Sequence, residues 1–309
     1  MAGKNKGEIS ELLALPLAIR KSKEKVVLAN TYIFEKIDEE NFKFRNKIFK
    51  IFEFEKYCDK VIATTKKDKG EKGVIKNLSA YKDALDYLGI KKGETLKADS
   101  SKNFDIKIDD ENGHIKSYLG KPPAFLGYSK KTMIFHEIES NKTIQNGQTL
   151  KKIISDNGIK IKSSKIINEK FEKTLKKINR DLPDIYIKLD KELASKKTSS
   201  EFYKSLTVKE KRAILDFCKA CYSGFAPKTC ETFEPNNNNH FIIEISKSGK
   251  ANYSKINDEY FENLFLNDRI FLDAPSKSKV EGSRTINKKD GKLFYTEAPY
   301  IRTKEKIIK

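Results

Sequence analysis

The chain has 309 residues, 38% of them hydrophobic, with 63 lysines and arginines against 44 acidic residues and a formal charge of +19. That length allows one large domain or two ordinary ones with a real core, and the charge surplus favours polyanionic partners through counterion release. No run of 18 apolar residues is present, which argues against a membrane span. The N-terminus also lacks the apolar stretch of a secretion signal, so a cytoplasmic protein is expected.

Residues 7–20 predict an amphipathic helix, with Ile9, Leu12, Leu13 and Leu17 at helical spacing and Pro16 as a possible kink. Glu8 and Glu11 lie one turn apart, so both can reach one neighbour or simply favour the helix N-terminus. From Lys25 to Thr65 the chain reads mainly as strands, among them 25–29, 31–36 and 48–54. A helix from Leu78 to Leu88 follows, with Gly89 as its stop.

Residues 103–117 carry the densest chemistry. Phe104, Ile106 and Ile108 alternate with Asp105 and Lys107, a strand pattern. Asp109, Asp110, Asn112 and Gly113 are turn residues, and His114-Ile115-Lys116 starts a second strand. Asp105 and Lys116 would then converge on paired strands. A carboxylate and a lysine so placed can hold a divalent metal and activate water, or can be ordinary charges of a surface hairpin.

Gly120-Lys121-Pro122-Pro123 ends that strand, and residues 131–138 read as a third core strand. His136 there is expected to be packed or on the surface, with Glu137 and Glu139 as weaker ligand candidates. Residues 143–222 are helical and strongly basic, either a solvated face or a phosphate-contacting one. A loop tip is expected at Asn236–Asn239. Strands then return at 240–246, 268–272, 283–286 and 293–301, around a short helix at 257–265. The basic, hydroxyl-rich stretch Pro275–Arg284 can contact phosphates or base edges, or be an exposed turn. Four cysteines are present. Cys218, Cys221, Cys230 and His240 admit a zinc reading, but Cys218 and Cys221 fall in an apolar helical pattern, which explains them without metal.

Four segments in this order carry a family resemblance. Lys6-Gly7-Glu8-Ile9-Ser10-Glu11 resembles the start of the first helix in PD-(D/E)xK nucleases, and Asp105 with Lys116 resembles their two-strand metal site. Ile115-Lys116-Ser117-Tyr118-Leu119-Gly120-Lys121-Pro122-Pro123-Ala124-Phe125-Leu126 is similar to a segment of HpaII-family restriction endonucleases. Pro275–Lys279 and strands 293–302 are similar to that family's C-terminal region.

The resemblance implies an α/β fold with a central mixed sheet flanked by helices. It implies a type II restriction endonuclease that hydrolyses a short double-stranded DNA site with Mg²⁺, leaving 5′-phosphate and 3′-hydroxyl ends. Asp105 would ligate Mg²⁺, Lys116 would orient or polarise the attacking water, and Glu11, with Glu8 as its alternative, would complete the site. His114 stands where the superfamily usually has Asp or Glu. It makes a lesser contact, or a carboxylate elsewhere, such as Glu8, substitutes for it.

Residues 1–142 would form the catalytic core, and 143–309 a basic helical and β region that grips and reads DNA. Lys121, Lys277, Lys279, Arg284 and Arg302 are the expected DNA contacts, arginine to guanine being the commonest specific pairing. A paired methyltransferase and a homodimer fit this reading, and the tetranucleotide CCGG is the family's named target. Two rivals remain: a non-catalytic DNA-binding protein with a decayed nuclease fold, and an RNA-binding basic protein.

Overall fold

The structure is a computed structural model. It describes residues 4–28, 31–67, 74–75, 77–91, 94, 96, 104–120, 122–125, 143–145, 148–149, 152, 155–156, 184–223, 241–273, 280–281, 284–289, 292–297 and 300–305. Two compact units divide the chain. The first comprises residues 1–123, 237–256 and 304–309, and the second 124–236 and 257–303. The division therefore does not follow the expected 1–142 and 143–309 regions, because the strands Phe241–Ile245 and Ala251–Lys255 return to the N-terminal sheet.

The first unit is built on a mixed eight-stranded sheet. Its strands are β1 (Lys25–Leu28), β2 (Tyr32–Lys36), β3 (Asn41–Phe44), β4 (Lys47–Lys50), β5 (Ile106–Ile108), β6 (Glu111–Ser117), β7 (Phe241–Ile245) and β8 (Ala251–Lys255). They lie in the order β8-β7-β6-β5-β1-β2-β3-β4. Only β6 and β7 run parallel. A parallel pair needs a long crossover, and here the chain between Ser117 and Phe241 supplies it.

Helix α1 (Lys6–Lys21) continues through Pro16. Ile9, Leu12, Leu13, Leu15, Ala18 and Ile19 are all buried, and of residues 8–21 only Arg20 and Lys21 are exposed. It is thus apolar on most sides, as suits a helix wedged against a sheet. It packs on β1, β6, β7 and β8, and on α2 (Ile51–Lys67).

The start of α2 corrects the strand expected over 48–54. Phe52, Glu53, Phe54 and Glu55 alternate as a strand would, yet Ile51, Phe54, Cys58, Val61 and Thr65 are buried at helical spacing while Phe52 stays 62% exposed. Helix α3 (Ser79–Tyr87) lies against α2. Aromatic rings close this end of the core. Phe34 stacks on Phe44 at 4.5 Å, Phe42 on Phe49 at 5.4 Å, and Tyr57 on Tyr87 at 4.5 Å.

The second unit carries α4 (Asp184–Ala194), α5 (Ser199–Ser205), α6 (Val208–Ser223) and α7 (Asp258–Leu266). A capping box between Thr198 and Glu201 starts α5. Tyr203 and Phe265 stack at 5.2 Å, joining α5 to α7. Strand β9 (Ile270–Asp273) pairs with β13 (Tyr300–Thr303), and β10 (Val280–Glu281), β11 (Arg284–Lys289) and β12 (Lys292–Glu297) form an antiparallel sheet. The expected strand at 131–138 lies outside the described residues. Among those described, no helix is long and apolar enough to cross a membrane.

Candidate active site

The hairpin β5–β6 turns at Asp109 and Asp110, with Ile108 paired to Glu111. Asn112 and Gly113, expected in the turn, are strand residues instead. Asp109 supplies the left-handed turn conformation, at φ 51°. Gly113 is needed for a different reason, because a Cβ there would overlap the ring of Phe241 on β7.

Asp109 also ties the hairpin to the α1–β1 junction. Its carboxylate accepts the backbone N–H of Lys23, Glu24 and Lys25 at 2.9, 2.9 and 3.0 Å. Burial acts to raise this carboxyl, but the three amides and the nearby Lys23 charge prevail and hold it below its ordinary value.

Alternation along the strands sorts the site residues onto two faces. Ile106, Ile108, Ile115, Phe241, Ile243 and Ile245 belong to the core with α1. Ser117 shares that face, where it accepts a hydrogen bond from Ser10 at 2.6 Å. The register therefore places His114 and Lys116 on the other face, with Asp105 beside them, since Ile106 pairs with Gly113 and the Asp105 amide donates to the Gly113 carbonyl at 3.0 Å.

Asp105 Oδ2 accepts the Ile115 N–H at 2.8 Å and lies 3.7 Å from His114 Nδ1, an electrostatic contact rather than a hydrogen bond. Burial works to raise the Asp105 carboxyl. The His114 ring, the Ile115 amide and the Lys116 charge outweigh it and hold the group below its ordinary value. Even so, 35% of its side chain is open to solvent, so a water or a phosphate can reach it. Burial lowers the Lys116 ammonium from its ordinary value, opposed by Asp105 and by Glu244.

Glu244 was not anticipated from sequence. It lies on β7, in register with Lys116 on β6. Its strand is buried at every position, and Glu244 is only 6% exposed. The Tyr118 hydroxyl donates to its Oε1 at 3.0 Å. The available signal was one carboxylate inside Phe241-Ile242-Ile243-Glu244-Ile245, since charges are rarely buried without a partner. No protein-family model matches the chain, and no curated protein or solved structure matches it.

Glu8 and Glu11 approach Tyr81 on α3, and after burial their charges are the main influences raising its phenol. Arg302 on β13 donates from Nε to Asp273 Oδ2 at 2.6 Å and is 13% exposed. That bond engages Nε and fixes the guanidinium beside Asp273. Arg284 lies on β11, in a strand paired with β10 and β12. Lys121, Lys277, Lys279, His136, Glu137 and Glu139 lie outside the described residues. So do Cys230 and His240, while Cys218 is buried within α6.

Among the described residues, no three His, Cys, Asp or Glu side chains gather closely enough to cage a metal. Mg²⁺ does not require a cage. It keeps several waters and binds through one or two carboxylates together with substrate phosphates. A solvent-reachable carboxylate such as Asp105 fits that ion, and His114 beside it is a softer donor.

Proposed function

We propose that this chain is a Mg²⁺-dependent nuclease of the PD-(D/E)xK type, acting as a type II restriction endonuclease on a short duplex DNA site. What supports the reading is the convergence of Asp105 and Lys116 on one face of neighbouring antiparallel strands, with the Asp105 side chain partly open to solvent. The charge of +19 suits a DNA substrate.

In this reading Asp105 would hold the metal, completed by waters and a substrate phosphate, while Glu8 and Glu11 sit on α1 beside Tyr81, with α1 on the sheet's other face. The bound ion would lower the pKa of a coordinated water and offset charge on the phosphate. Lys116 orients the attacking water and places fixed positive charge beside the scissile phosphate, where charge develops. The Ile115 amide and His114 keep Asp105 ionised, in the acceptor-only form a hard cation needs. The water gives up a proton to solvent as its oxygen bonds to phosphorus, the bond from phosphorus to the 3′ oxygen breaks, and that oxygen takes a proton from solvent to leave as the 3′-hydroxyl. A homodimer would present two such sites to the two strands, and a companion methyltransferase would protect host DNA.

The test is incubation of plasmid with the protein and Mg²⁺. Discrete fragments with 5′-phosphate ends are expected. Shifted but uncut DNA would instead favour the non-catalytic binder that His114, standing in a carboxylate's place, suggests.

A further inference from the structure

Resting on the nuclease reading, we propose that Glu244 is a positioning residue for Lys116: its carboxylate, fixed by Tyr118, holds the ammonium on the Asp105 face of the sheet.

Three observations carry this. First, the parallel register aligns Glu244 with Lys116 on adjacent strands, so both side chains leave the same face of the sheet. The opposite face of β7 is filled by Phe241, Ile243 and Ile245 against α1. Second, Glu244 is buried in a strand that is otherwise apolar. A carboxylate there demands a compensating cation, and the cation in register is Lys116. Third, Tyr118 donates to Glu244 Oε1 at 3.0 Å within the interior. That bond, made two residues after Lys116, limits where the carboxylate can point.

The same facts argue against Glu244 as a metal ligand replacing the carboxylate absent at 114. Mg²⁺ gives up its waters reluctantly, whereas Glu244 is 6% exposed and one of its oxygens is engaged by Tyr118. It also forms no three-ligand group with Asp105 and His114. A lysine on a flexible stem is a poor water-orienting group unless something restrains it, and Glu244 supplies that restraint from a strand far along the chain.

The test uses the full chain as E244Q, K116M and the double variant, with D105N as the metal-ligand reference. Glutamine keeps the size and the Tyr118 acceptor but removes the charge. Single-turnover cleavage by E244Q should fall about tenfold or more, with duplex affinity and calorimetric Mn²⁺ affinity unchanged. On the K116M background E244Q should cost nothing further. Urea midpoints of the two single variants should likewise combine non-additively.

Four results would overturn the proposal. Cleavage by E244Q within twofold of wild type is the first. An equal loss on both backgrounds would place its action elsewhere than Lys116. Mn²⁺ binding weakened as in D105N would make it a ligand. Additive midpoints would deny the pairing whether or not cleavage is measured. If wild type cuts no duplex while the midpoints are coupled, the nuclease reading itself fails and the pair is only a structural ion pair.

Discussion

Asp109→Gly separates the carboxylate's contribution from that of the turn. Asp109 holds the site hairpin to the α1–β1 junction through three amide hydrogen bonds of 2.9–3.0 Å. Glycine loses all three but adopts the left-handed φ of 51° without strain. Hydrogen bonds to a charged acceptor contribute about 1.5–3 kcal/mol each when sheltered. Here the bonds are solvent-exposed and water replaces much of their value, so the three together should contribute about 2 kcal/mol. Asp109→Ala adds the cost of a Cβ at positive φ, about 1 kcal/mol more. Asp109→Asn keeps an oxygen for Glu24 and Lys25 but turns an N–H toward Lys23, and should lose less than glycine does.

Urea denaturation at neutral pH should therefore rank the proteins wild type, Asn, Gly, Ala in falling stability. The pH dependence has a definite sign. The folded carboxyl is held below its unfolded value, so its contribution is complete above about pH 4 and disappears as pH falls through the folded value. Wild type and D109N should converge on acidification. A D109G protein within about 0.5 kcal/mol of wild type would show that the carboxylate does not anchor the hairpin, and an alanine variant more stable than glycine would contradict the cost of a Cβ at positive φ.

Lys116→Ala should reduce cleavage by roughly two to three orders of magnitude with duplex affinity largely kept; a loss below tenfold in single-turnover assays removes it from the mechanism. Gly113→Ala should destabilise the chain by about 1–3 kcal/mol, because the Phe241 ring occupies the space of the new methyl; an unchanged melting temperature would contradict the packing described. Arg284→Ala should relax or abolish site choice while non-specific nicking persists; an unchanged fragment pattern moves base reading elsewhere.

The hairpin was legible because its two requirements are local. Alternation of Ile106 and Ile108 with Asp105 and Lys107 needs only a period of two, and Asp109-Asp110 marks the turn. Helix α1 was legible for the same reason, although its near-complete burial was not. Alternation failed at Phe52–Glu55, where an exposed Phe52 imitates a strand and the true signal is Ile51, Phe54, Cys58 and Val61 read together. Strand β8 was missed because Ala251–Lys255 is polar and lies at the sheet's edge. Glu244 was missed because its meaning depends on Lys116, which the parallel pairing of β6 and β7 brings to it. No local pattern encodes that pairing. The Asp273 partner of Arg302 is likewise not legible in the sequence, because strand pairing of β9 with β13 brings it there.

In the proposed reaction Asp105 serves the hydrolysis of duplex DNA. The most direct measurement compares wild type with Asp105→Ala on one end-labelled duplex of known sequence, with Mg²⁺, scoring cleavage and binding together. Cutting at fixed positions by wild type, with uncut but still bound DNA for the variant, is the predicted result. Cleavage by the variant at the wild-type rate, or none by either protein, would contradict it.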